Sequence, residues 1–271
     1  MKLIKIAAIN GLLLCSLQAT AQPSVAQVEQ ELIGHLNRIQ YWRFEYSPED
    51  TSFAGEVSPA DSLNDANRKL EAYLLQVAES QPALLKANLK IPENADLKIV
   101  NSDDKKLRIY CWDTQTGGTM KVYRAVAQYE DNGRVKSMLL DGGANSKEDM
   151  NPGQSYLSIY TLNAGKKYYL PVYTAIYSTK DVMKGIRALA VEGGELKPAV
   201  IFETNNTTVD KIEYTYDYAA NYDFKKMKES YVLHMDKQKL YVPLVEGDKL
   251  NGKWQVYIWN GNKFVYDKNA K

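Results

Sequence analysis

The groups in this chain that could carry chemistry are two histidines, a cysteine at position 111 and a scatter of carboxylates. Cys111 and His234 are the pair that a cysteine hydrolase would need, a thiol nucleophile and an imidazole base brought together by the fold. Cys111, however, lies inside the strand-like run Leu107-Arg108-Ile109-Tyr110-Cys111-Trp112. In such a run a free cysteine serves as a small buried hydrophobe, whereas reactive thiols sit at helix N-termini or beside cations. His35 falls one position before Leu36 at the edge of an apolar helical stripe and reads as a structural residue. His35, His234 and Cys111 are far apart and lack paired spacing, so no metal site and no other cofactor is expected.

Paired carboxylates are the one catalytic device the composition leaves open, because a glycosidase needs only two acids across a cleft. Glu213 and Asp217 share a face of the strand-like run Lys211 to Tyr218. Four residues of strand separate them by about 13 Å, beyond the roughly 5–9.5 Å that glycoside hydrolysis uses. The opposite face of that run alternates Ile212, Tyr214, Tyr216 and Tyr218, a row of phenol rings that could stack on a sugar or a peptide. Trp254, Tyr257 and Trp259 in the last hairpin add to it. Tyr214, Tyr216, Tyr218, Trp254 and Trp259 are therefore the candidate ligand-binding residues. Core and cross-strand packing is the competing role for the same rings, since aromatic residues are ordinary strand formers.

Other chemistries lack their motifs. There is no Gly-x-Ser-x-Gly elbow, and Ser102-x-x-Lys105 sits in a turn without the companion motifs of penicillin-binding enzymes. No phosphate-binding loop or dinucleotide fingerprint occurs, nor the alternating βα pattern that would frame one. Lysines come in isolated pairs, Lys105-Lys106, Lys166-Lys167 and Lys225-Lys226, near turns. Nucleic-acid binding requires a concentrated basic face that releases counterions, so no nucleic-acid partner is expected.

The elements that would position these residues fall into two stretches. From Pro23 to about Ile91 the apolar residues keep helical spacing: Val25, Val28, Leu32, Leu36 and Ile39 form one stripe, and Leu63, Leu70, Tyr73, Leu74 and Val77 another. Ser58-Pro59-Ala60-Asp61 gives the second helix a cap, a proline at its first position and an acid three residues on. A third short helix is expected from Pro82 to Leu89, and a loop from Glu45 to Ser58. From Asp96 onward, short runs rich in Val, Ile, Tyr and Thr alternate with turn signals such as Asp131-Asn132-Gly133 and Glu192-Gly193-Gly194. This pattern predicts a large antiparallel β domain over 96–271, about a dozen strands, with residues 22–95 as a helical segment packed on it.

Lys105-Lys106-Leu107-Arg108-Ile109 and Lys166-Lys167-Tyr168-Tyr169-Leu170 are offset by 61 residues, and the same offset carries Asn132-Gly133-Arg134-Val135-Lys136 onto Gly193-Gly194-Glu195-Leu196-Lys197. A weaker third copy places Lys239-Leu240-Tyr241-Val242-Pro243 against Lys167-Tyr168-Tyr169-Leu170-Pro171. Repeated four-stranded units over 96–145, 154–205 and 209–267 follow, similar to propeller blades but too few for a closed ring. A β-sandwich is the alternative.

Lys2 and Lys5, the apolar stretch Ile6 to Leu17, and Ala19-Thr20-Ala21 have the order of a cleavable secretory signal peptide over residues 1–21. Leu14 before Cys15 departs from the small residue that precedes a lipidated cysteine. Cleavage would remove Cys15, leaving Cys111 alone and excluding an intramolecular disulfide. It would also turn the net charge of +1 slightly negative. No later segment is long and apolar enough to span a bilayer, so the expected product is a soluble periplasmic or extracellular protein. Asn205-Asn206-Thr207-Thr208 holds two overlapping glycosylation sequons and reads as an exposed loop, and Asp141 to Gly153 lacks the ligand pattern of a calcium loop. The function these features favour is a non-catalytic module binding a glycan, peptide or protein partner, with a carboxylate-dependent hydrolase of polysaccharide or cell-wall material as the competitor.

Overall fold

A computed structural model describes residues 22–49, 57–140, 151–204, 207–221 and 233–269. Residues 1–21, expected as a signal peptide, residues 141–150, Asn205, Asn206 and the Lys225-Lys226 pair lie outside the described residues. The fold is mainly β, with 46% of the described residues in strands and 24% in helices. No helix among the described residues is long and apolar enough to cross a membrane.

Helix α1 (Val25–Gln40) begins with a capping box in which Ser24 Oγ accepts from Gln27 N and Gln27 Oε1 accepts from Ser24 N. Helix α2 (Pro59–Ser80) starts at Ser58, whose side chain accepts from Asp61 N, with Pro59 in the first turn. The two run antiparallel: Gln22 at the start of α1 donates to Ser80 O at the end of α2. Over Pro82 to Leu89 a single 3-10 turn forms, Pro82–Leu85. The helix expected to reach Leu89 does not, because side chains claim the backbone that a helix would have paired. Glu29 accepts from Lys90 N, and Arg108 donates to Ala87 O.

The first sheet is a four-stranded meander of β1 (Leu97–Asn101), β2 (Leu107–Asp113), β3 (Tyr123–Asp131) and β4 (Arg134–Leu139). Its last hairpin turns on Asn132 and Gly133, both at positive φ, which is what a two-residue turn matching the strand twist requires. The second sheet contains β5 (Ser155–Ala164), β6 (Lys166–Ile176), β7 (Asp181–Arg187), β8 (Leu189–Glu192) and β9 (Glu195–Pro198). β7 and β8 lie along β6 in a single register, Val172↔Ile186 and Tyr169↔Leu189, so they are one strand interrupted at Ala188. Around that interruption the outer edge divides, for Ala188 N donates to Asp210 O while Ala188 O accepts from Ala199 N.

The chain then crosses to a third sheet with β10 (Phe202–Thr204) and β11 (Thr207–Val209), and returns to the second with β12 (Lys211–Asp217), which pairs with β7. The third sheet is completed by β13 (His234–Asp236), β14 (Lys239–Glu246), β15 (Lys249–Trp259) and β16 (Phe264–Tyr266), another meander, with β10 joined parallel to β16. The hairpin pairs Asp131↔Arg134 and Glu192↔Glu195 occupy matching places in the first two meanders. The range 209–267 is not one sheet, because β12 within it extends the second.

Three cores order the layers. Tyr110, Trp112 and Val126 on one face of the first sheet pack under the helices with Leu32, Leu36 and Leu70. Ile109, Cys111 and Ala125 on its other face meet Tyr156, Tyr169 and Tyr173 of the second sheet. Leu170, Val172 and Ile186, on the far face of the second sheet, meet Leu240, Tyr257 and Phe264 of the third. The order is helices, sheet one, sheet two, sheet three, and the alternation of side chains along each strand supplies the two faces.

Candidate functional site

The residues nominated from the sequence do not come together. Tyr214 and Tyr216 point into the core between the second and third sheets, their rings 6.1 Å apart and nearly parallel. Burial raises both phenol pKa values, that of Tyr216 to about 12. Trp259 is buried in the same core against Tyr168 and Phe264. Tyr218, past the end of β12, is 37% exposed. Trp254 stands on the opposite face of the third sheet, edge-on to His234 at 4.9 Å, and His234 stacks on Tyr241 at 4.8 Å. In that trio His234 and Tyr241 lie face to face and Trp254 stands perpendicular to both. Cys111 is buried and accepts from Tyr156 N at 3.3 Å, in the first sheet, while His234 is in the third, so they are not a nucleophile and base. Glu213 accepts from Tyr173 Oη at 2.7 Å and pairs with Lys211, whereas Asp217 lies across from Asp181.

Between the hairpin ends of sheets one and two runs a cleft of about 700 Å³ lined by Lys106, Lys136, Lys166, Lys167 and Tyr169. Each lysine has an acid: Lys106 with Glu130 (2.6 Å), Lys136 with Asp131 (3.2 Å), Lys166 with Glu192, Lys167 with Asp104 (2.6 Å). The cleft is a polar seam holding two sheets together, with its charges already satisfied. Burial alone would raise the Asp104 pKa, but hydrogen bonds from Lys167, Ser102 and Lys106 N outweigh it and hold the carboxyl below its ordinary value of 3.8. The stabilisation this provides is complete above the ordinary value and disappears as pH falls through the lower folded value. Asp104→Asn should therefore flatten the acid limb of a stability curve measured by denaturant titration below about pH 4. An unchanged acid limb would remove Asp104 from the account.

On the outward side of the helix pair lies a groove of about 910 Å³ walled by α1 and α2. The inward stripes of both helices bind sheet one, which leaves their shoulders facing each other across the groove. α1 contributes Glu31, Gly34, His35 and Arg38, and α2 contributes Asp61, Asp65 and Lys69. Trp42 closes one end. It is carried by a single π-helical turn, Tyr41–Glu45, that continues α1 and gathers Tyr41, Trp42 and Tyr46 with ring centroids 5.1–6.3 Å apart. Such wider turns recur at functional sites.

Asp65 is bridged by Lys69 at 2.8 Å and Arg68 at 3.2 Å, and these hydrogen bonds lower its pKa. No ion pair among the described residues uses Glu31, Arg38 or Asp61. Burial lowers the His35 pKa, with the Glu31 charge opposing and Lys69 assisting, and its ring rests 5.0 Å from that of Tyr73. His35 is therefore neutral at pH 7, one nitrogen donating and the other accepting.

Gly34 decides how this groove is read. It sits in the interior of α1, where glycine costs about 0.5–1 kcal/mol relative to alanine. A Cβ placed there would meet nothing within 4 Å. Packing does not require the glycine, and a side chain there would extend into open space beside the groove. Among the described residues, the carboxyls whose pKa is moved are moved down: Asp65, Asp104, Glu192 and Glu195. These four are not held protonated as a general acid would be. Among the described residues, no three of His, Cys, Asp and Glu form a metal-holding group.

No family model, curated protein or solved structure matches this chain. The site therefore stands on its own geometry. Sequence reasoning missed the groove, although it had two signals for it: a glycine inside the apolar period of α1 and the aromatic run Tyr41-Trp42-Arg43-Phe44.

Proposed function

We propose that this chain is an exported, non-catalytic binding module whose ligand sits in the groove between α1 and α2. Gly34 carries the reading, as a residue that costs helix stability and whose absent side chain leaves only open groove. Exposed polar groups at Glu31, Arg38 and Asp61, which have no ion-pair partner among the described residues, support it. Export rests on the charge, apolar run and Ala19-Thr20-Ala21 of the first 21 residues. N-terminal sequencing of the secreted product should begin at Gln22.

Among the described residues, the hydrolase reading finds no carboxylate pair with separated pKa values, which is the arrangement two-acid hydrolysis requires. The chain beginning at Gln22, incubated with a panel of polysaccharides and with peptidoglycan, should release no reducing ends or muropeptides above buffer. Turnover of any substrate, abolished by a single Asp or Glu substitution, would replace this proposal with the hydrolase.

A further inference from the structure

We propose that the cavity at the end of the first sheet where β1 begins and β2 finishes is a second binding site, independent of the α1–α2 groove, that takes a primary ammonium group. The cavity measures about 440 Å³ and is bordered by Asp96, Asp113, Gln115, Lys121, Tyr123 and Ser155. Ser155 opens β5 and is 6% exposed, yet among the described residues no hydrogen bond uses its hydroxyl or that of Tyr123. A polar side chain buried to this degree ordinarily has a partner. The two hydroxyls mark places that a polar group of a ligand would fill.

The frame around them draws on several elements. Asp96 and Gln115 both stand at positive φ, 55° and 60°, a conformation that a side chain makes costly. Gln115 Nε2 donates to Asp96 Oδ2 at 2.9 Å, and Gln40 Nε2 from the end of α1 donates to the same oxygen at 3.1 Å. Asp113 accepts from Gln115 N at 2.9 Å and pairs with Lys121 Nζ at 2.9 Å. Helix, strand and turn residues thus hold two carboxylates around the cavity that the free hydroxyls border.

Charge selects the ligand class. Glu93, Asp96 and Asp113 stand against Lys98 and Lys121, an excess of one negative charge. Lys121 is held by Asp113, whereas no ion pair among the described residues uses Glu93 or Asp96. Burial raises the Tyr123 phenol pKa to about 12, and the charges of Asp113 and Asp96 push it the same way. That hydroxyl therefore lies in a negative field, which disfavours an anion. A primary ammonium brings a positive charge and three donors, and a carboxylate and two hydroxyl oxygens are acceptors for them. A quaternary ammonium has no donor and would leave both hydroxyls unpaired. Calcium takes about six to eight oxygen ligands, and no three His, Cys, Asp or Glu among the described residues form a metal-holding group.

The test uses the chain from Gln22 with butylamine, butanol and butyrate, three probes of equal length, titrated by NMR chemical shift at constant ionic strength. Tyr123→Phe and Ser155→Ala each remove one hydroxyl with little change of volume. Asp96→Asn removes the charge and keeps an acceptor for Gln40 and Gln115, and Gly34→Leu alters the other groove. Melting temperatures establish that each variant folds, and the two hydroxyl variants carry the test if Asp96→Asn does not.

Butylamine is expected to saturate the site while butanol and butyrate do not. Asp96→Asn should weaken it about tenfold or more, Tyr123→Phe and Ser155→Ala about threefold or more each, and Gly34→Leu should leave it unchanged. Trialanine with a free and with an acetylated N-terminus distinguishes the sources. Binding of the free form alone supports a peptide terminus as the ammonium, and binding of butylamine but neither peptide supports a small free amine. Equal binding of butanol or butyrate would overturn the ligand class. Butylamine binding insensitive to the cavity variants, or no saturation at all, would overturn the site.

Discussion

Asn67→Ala is expected to lower the unfolding free energy by about 2–4 kcal/mol, because it leaves two polar groups of the helix–sheet core without partners. Asn67 is 4% exposed on the buried face of α2. Its Oδ1 accepts from Trp112 Nε1 at 3.0 Å, and its Nδ2 donates to Leu63 O and to Thr114 O, both at 2.9 Å. Trp112 and Thr114 belong to β2 and the turn after it, so one amide ties the helical layer to the first sheet. Without it, the indole N–H and the Thr114 carbonyl remain buried, each at about 1–3 kcal/mol. The melting temperature should fall by about 5–15 °C.

Trp112→Phe distinguishes this mechanism from simple loss of volume. It keeps most of the ring and removes the donor, so Asn67→Ala combined with Trp112→Phe should cost less than the sum of the single changes. A coupling of about 0.5–3 kcal/mol is expected from a denaturant cycle on the four proteins. Additive costs, or an Asn67→Ala loss below about 1 kcal/mol, would show that the amide is replaceable.

How much of this architecture was legible in the residues depended on whether a signal was local. Ser58-Pro59 marks the start of α2 because a capping hydroxyl and a proline act within one turn. Asn132-Gly133 and Gly193-Gly194 mark hairpins because positive φ is required at those residues themselves. The helical stripes of α1 and α2 and the strand-rich texture after Asp96 are equally local, since they follow from the period of each element.

Tyr214 and Tyr216 failed as surface candidates for the opposite reason. Period-two alternation separates two faces but does not say which is wet, and the second sheet is covered on both. The return of β12 to that sheet is equally silent, being set by the break at Ala188 and the crossing of β10 and β11. The two sequence signals of the groove, Gly34 within α1 and the aromatic run that becomes the turn Tyr41–Glu45, leave the hydrophobic period of α1 intact, so the period alone does not announce an opening beside them.

Phe264→Ala should cost about 3–5 kcal/mol, the range for removing a fully buried aromatic side chain, and should do so unevenly through the molecule. Phe264 has no exposed surface. Its ring stacks on Phe202 at 5.6 Å and meets Trp259 edge-on at 5.3 Å. Its backbone stands opposite Phe202 in the single parallel contact, donates from N to Ile201 O at 2.7 Å, and pairs with Trp259. One residue thus joins the strand that leaves the second sheet to the hairpin that builds the third. Among the described residues the third sheet packs on the second, the second on the first and the first on the helices, so the damage should remain local. Hydrogen exchange followed by mass spectrometry should show β10, β14 and β15 losing protection while α1, α2 and β1–β4 retain theirs. A uniform loss of protection would mean that the layers unfold as one cooperative unit, and the layered order would then not translate into separable stability.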